Sequence, residues 1–150
     1  MSPHQNPLPK KQTPKKRKAK SELFAKIFEK APADELKNFL RKACNFDTDL
    51  RNLFIARFSY LIEGKKKTDY KAILKQIFQT GSRDGFIDYR DSFRVMRPVF
   101  EMLQTARELA DQKEYEHCFA ICSAVIENVS VAIQRMDDSS GEAGLCRLWF

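Results

Sequence analysis

From Leu23 to Met136 the apolar residues return every three or four positions, and no segment keeps the two-residue alternation of a half-buried strand. Ser21 precedes Leu23, Phe24, Ile27 and Phe28 and reads as the N-cap of a short first helix ending near Lys30. Pro32 and Asp34 open a second helix, which carries Leu36, Phe39, Leu40 and Ala43 on one face and ends at Asn45. A third starts at Asp47 or Asp49, with Leu50, Leu53, Phe54, Phe58, Leu61 and Ile62 as its buried stripe. Gly64 and Lys65-Lys66-Lys67 close it, where bases suit the negative end of the helix dipole. Thr68 opens a fourth, with Tyr70, Ile73, Leu74, Ile77 and Phe78 inward and Gly81 as its stop. The loop 82–87 leads to Asp88, the cap of a long fifth helix reaching about Gln112. Its inward set is Phe93, Met96, Phe100, Leu103, Ala106 and Ala110, with a kink expected at Pro98. After a polar turn near Lys113, a sixth helix points Tyr115, Cys118, Cys122, Val125, Ile126, Val129, Ile133 and Met136 inward. Asp137-Asp138-Ser139-Ser140-Gly141 ends it. Residues 142–150 then begin a seventh helix, dock Leu148-Trp149-Phe150 on the core, or lead on into a longer chain.

This pattern predicts an all-α fold: antiparallel helical hairpins or a bundle of about six helices, preceded by a disordered basic tail. The boundary falls between residues 1–20 and 21–150, with truncation of the helical domain at its C-terminal end as one of the open readings. The 150 residues suffice for one domain with a core of its own, needing no disulfide or metal staple. Five glycines, and only Pro32 and Pro98 beyond the tail, argue against a turn-rich β fold. Ala106 to Ile126 resembles a tetratricopeptide hairpin, but no second copy follows at that family's period of about 34 residues.

Locating the net charge of +7 changes its meaning. Residues 1–20 hold Lys10, Lys11, Lys15, Lys16, Arg17, Lys18 and Lys20 and no acid, and the remaining 130 residues are balanced. The excess therefore lies in the tail, which offers too little apolar surface to order itself. Pro14-Lys15-Lys16-Arg17-Lys18 has the form of a nuclear import signal, and its bases could equally contact phosphates without sequence preference. A solvated linker explains the same run. The first twenty residues contain no apolar run of a secretory signal, and no uninterrupted apolar stretch approaches the length of a membrane span. With Cys44, Cys118, Cys122 and Cys146 as free thiols, the expected location is the cytoplasm, or the nucleus in a eukaryotic source.

Three stretches carry candidate chemistry. Residues 80–91 resemble a calcium-binding EF-hand loop: Gly85 takes the sharp turn, Phe86 the carbonyl ligand, Ile87 the buried hydrophobe, and Ser82, Asp84, Asp88 and Asp91 the side-chain ligands. Thr80 stands where an aspartate is required, and Asp91 is shorter than the usual glutamate, so a plain connection with Asp88 as cap competes. Cys118 and Cys122 lie one helical turn apart beside His117, a spacing that can share a zinc ion if Cys44, Cys146 or His4 completes the set. They also lie within an apolar stripe, where cysteine acts as a small hydrophobe. Asp137 and Asp138 read as a polar helix stop. No nucleophile–base pair and no glycine-rich phosphate loop is present, so neither an enzyme nor a cofactor is expected.

Gly85-Phe86-Ile87-Asp88-Tyr89-Arg90 entering a long helix, the hairpin from Ala106 to Tyr115, and Asp137-Asp138-Ser139-Ser140-Gly141-Glu142-Ala143-Gly144 come in a distinctive order. So do Asp34-Glu35-Leu36 and Asp47-Thr48-Asp49-Leu50-Arg51 after a lysine-rich linker. Over about residues 21–145 this order resembles the helical region that follows the SWIM zinc finger in bacterial SWIM-domain proteins. The finger's Cys-x-Cys and Cys-x-His pairs are missing, so no zinc ligands carry over. The resemblance implies a non-catalytic helical interaction module, companion to a finger, with a protein partner. A nucleic-acid-associated protein acting through its tail, and a degenerate calcium binder, are the alternatives. No membrane or small-molecule partner is expected.

Overall fold

The structure, a computed structural model, describes residues 14–62 and 69–137, with side chains described from Ser21 onward. Its helices are α1 (Pro14–Lys30), α2 (Ala33–Phe46), α3 (Thr48–Phe58), α4 (Tyr70–Gly81), α5 (Tyr89–Asp111) and α6 (Tyr115–Ile133), with a 3₁₀ turn at Ser59–Leu61. Among the described residues β structure is limited to two isolated bridges. The fold is all-α. The chain divides into two compact units, Met1–Arg41 and Lys42–Phe150.

In the first unit α1 begins at Pro14, seven residues before the expected cap Ser21. Pro14 fits the first helical position, and the Lys, Arg and Ala that follow are strong helix formers. Residues 14–20 are therefore helical rather than extended; residues 1–13 lie outside the described residues. Pro32 separates α1 from α2, and Asp34 and Glu35 occupy the positive first turn of α2. Leu23, Phe24, Ile27, Phe28 and Phe39 all face solvent.

In the second unit α5 is the central element, packed against α3, α4 and α6. Its buried positions are more numerous than the periodicity suggested: Val95, Met96, Val99, Met102, Leu103, Ala106 and Leu109, with Ser92 and Thr105 beside them. Phe93, expected inward, is exposed, while the helix runs uninterrupted through a buried Pro98. The chain then reverses at Lys113, whose φ of 67° closes α5, with Glu114 N–H donating to the Leu109 carbonyl at 2.8 Å. Leu74 and Ile77 of α4 and Ile121, Ala124, Val125 and Val129 of α6 complete the core. By length and composition α6 could cross a membrane, contrary to the expectation from sequence, but its inner residues form this helical core.

α3 inverts its expected orientation. Asn52 and Ala56 are its buried residues, joined by Ser59 of the following turn, while Phe54 and Phe58, with Leu61 and Ile62 beyond the helix, are exposed. Three polar contacts, made by two residues of α3, fix the inversion. Asn52 Nδ2 donates to Thr80 Oγ1 at 3.1 Å, and the Arg57 guanidinium donates to Thr105 Oγ1 at 3.2 Å and to Glu108 Oε2 at 2.6 Å. The small Ala56 between them can lie close to the neighbouring helices, which a phenylalanine could not. Asp47 caps α3 by accepting from Leu50 N–H, and α4 starts from Asp69, not Thr68. Gly64 and the three lysines after it lie outside the described residues.

Candidate functional site

The loop before α5 is a tight two-residue hairpin. Asp84 (φ 51°) and Gly85 (φ 84°) both take left-handed backbone, and Arg83 and Phe86 exchange backbone hydrogen bonds at 2.8 and 2.9 Å. The Phe86 carbonyl, the calcium ligand of the EF-hand expectation, thus accepts from Arg83 N–H instead. Asp88 Oδ1 accepts from Arg90 and Asp91 N–H at 3.0 Å each, the capping role its position predicted. Asp91 is buried and faces Arg94 at 3.1 Å and Arg83 at 3.7 Å. Asp84 is exposed at the hairpin tip and Ser82 is half-buried. Among the described residues no three His, Cys, Asp or Glu side chains gather into a metal set. Ile87 is buried as expected, and it joins the far end of α6. Its N–H donates to the Arg135 carbonyl, and its carbonyl accepts from Asp137 N–H, each at 2.8 Å.

Cys118 and Cys122 stand half-buried side by side on α6. Burial, with the neighbouring Cys118 adding to it, pushes the Cys122 thiol up to about 11. A protonated thiol of that kind is a poor metal ligand and a poor nucleophile. Cys44 is half-buried on α2; Cys146 and His4 lie outside the described residues. His117 Nδ1 and the buried Tyr70 hydroxyl are hydrogen-bonded at 2.9 Å, which ties α6 to α4. Of the tail bases, Lys15, Lys16, Arg17, Lys18 and Lys20 fall on the α1 backbone, and Lys10 and Lys11 precede the described residues. The import-type motif is therefore helical here rather than extended.

The feature that the motifs did not announce is the outer face of α6. Tyr115, Phe119 and Ile126, spaced four and seven residues apart, are 63%, 74% and 49% exposed. Tyr115 and Ile126 were expected inside; the core instead takes Ile121 and Ala124, one face around. These residues leave an apolar strip exposed on a helix whose other side builds the core. The apolar residues of α6 are legible in the sequence, but which of them meet the core is not. On α3 and the turn after it, Phe54 and Phe58 stack at 4.8 Å between centroids and form a second exposed apolar patch with Leu61 and Ile62.

No protein-family model matches this chain, and neither a curated protein nor a solved structure matches it.

Proposed function

We propose that the chain is a non-catalytic helical interaction module that engages a protein partner through the outer face of α6. The observation behind this is the exposure of Tyr115, Phe119 and Ile126 on a helix whose opposite face builds the core. Aromatic side chains of this kind supply much of the binding energy at protein interfaces. The resemblance to SWIM-domain proteins gives the module a context: a helical companion to a SWIM-type finger carried elsewhere in the same protein. A Cys-x-Cys and Cys-x-His set in the reading frame upstream would support that context.

Placing a photo-crosslinking amino acid at position 119 tests the interaction. A discrete protein adduct, lost in an Ile126→Asp variant of unchanged melting temperature, is the expected result. Adducts with no defined protein, or an adduct indifferent to Ile126→Asp, would remove the face from consideration.

A second reading rests on the seven bases and no acids in residues 1–20. In that reading the tail contacts nucleic-acid phosphates, and binding falls steeply with salt. Retention of duplex DNA after replacing Lys15, Lys16, Arg17 and Lys18 by serine would count against it.

A further inference from the structure

A groove of about 380 Å³ lies between α4 and the last turns of α6. Phe78, Ile87, Val131 and Ala132 give it an apolar lining, and Lys75 and Arg135 bring two positive charges to it. Val131 is 59% exposed although it borders this apolar surface. The path of the chain bears on what fills it. Ile87 and Arg135, both lining residues, are hydrogen-bonded to each other, and Asp137 N–H donates to the Ile87 carbonyl at 2.8 Å. The described chain therefore leaves α6 at the groove's own edge.

We propose that the groove is the docking site of the chain's own segment 142–150, with Leu145, Leu148, Trp149 and Phe150 as its apolar occupants. That segment lies outside the described residues. The connection from the groove's edge and the start of the segment bring Asp138, Gly141, Glu142 and Gly144, acids for Lys75 and Arg135 and glycines that permit a reversal, and the apolar residues follow. Leu145, Leu148 and Trp149 hold the spacing of one helical face. Reach is ample. The lining from Asn128 to Arg135 extends about 10 Å along α6 at 1.5 Å per residue, a distance that about four extended residues cover. A tethered segment also meets the groove at millimolar effective concentration, which favours it over a second copy or a free ligand. The inference stands apart from the proposed partner face, which lies on Tyr115, Phe119 and Ile126.

Trp149 is the only tryptophan, so its fluorescence in the intact chain reports the segment directly. Docking gives a blue-shifted emission, protected from acrylamide and unchanged on dilution. Val131→Lys, at an exposed position, shifts the emission red and raises acrylamide quenching several-fold while leaving the far-UV circular dichroism intact. Lys75→Glu, on the exposed rim, produces a smaller shift in the same direction and keeps the test open should Val131→Lys fold poorly. Phe119→Asp leaves the emission where it was. Three results would each overturn the inference: solvent-exposed Trp149 emission in the unaltered chain, protected emission indifferent to both groove variants, or protection that disappears on dilution, which would assign the groove to a second copy.

Discussion

A methyl group added at Gly81 would fall on Cγ1 of Val95, a stiff and buried side chain of α5. The sequence marked Gly81 as a helix stop, and α4 does end there. Its larger role, letting α4 approach α5, depends on a neighbour fourteen residues away. Gly81→Ala should therefore cost about 1–3 kcal/mol by overpacking, and thermal denaturation measures it. An unchanged melting temperature would mean that the two helices separate freely. Cys122 gives a pH-dependent counterpart. Its folded pKa of about 11 exceeds the ordinary 9.0, so folding favours the neutral thiol. That contribution is present below 9.0 and is lost as pH rises toward 11. Iodoacetamide at pH 8 should label Cys122 slowly in the folded chain and quickly in guanidinium, as read by peptide mass spectrometry. Equal rates would mean that the thiol is not shielded. The role of Asp88 was readable because a cap depends on its immediate chain neighbours, whereas the pairing of Ile87 with Arg135 and Asp137 was not, because those partners lie about fifty residues away.

At the scale of elements, periodicity located the helices but assigned some faces wrongly. α3 has large apolar residues on one side and Asn52 and Ala56 on another, and the sequence favoured the first as the core. Polar partners on other helices reversed that preference: Thr80 for Asn52, and Thr105 and Glu108 for Arg57. The hydrogen bond from Arg57, followed by one from Gln104, holds the Glu108 carboxyl below its ordinary 4.5. A depressed folded pKa contributes stability above the ordinary value and loses it as pH falls through the folded one. Glu108→Gln should consequently flatten the acid limb of the melting-temperature profile below pH 4.5 and change little at neutral pH beyond the loss of the pair. An identical acid limb in the two proteins would place the α3–α5 contact elsewhere.

At the scale of the molecule, the buried apolar core of the described residues lies between Ala56 and Met136, inside the unit Lys42–Phe150. Among the described residues α2 contributes nothing buried. A fragment of residues 42–150 should therefore keep the helical circular dichroism of α3 to α6 and unfold in a single cooperative transition. Loss of cooperativity in the fragment would show that the first unit is part of the folding core. The described residues of the first unit, with exposed Leu23, Phe24, Ile27 and Phe28, include no comparable core to stabilise it alone.

The sequence by itself determined the all-α class, the six helices of the described residues and the caps at Asp47 and Asp88, because those follow from local spacing and from residues that interact within one or two turns. It also concentrated the charge in the tail. Tertiary structure decided which face of each helix is inside. Phe54, Phe58, Phe93, Tyr115 and Ile126 are as hydrophobic as the residues that were buried, yet they stand exposed. Burial is a competition for a limited interior around α5. Small and branched side chains, together with polar groups that found partners across helices, occupied it. The apolar surface left outside could be identified only once the interior had been filled.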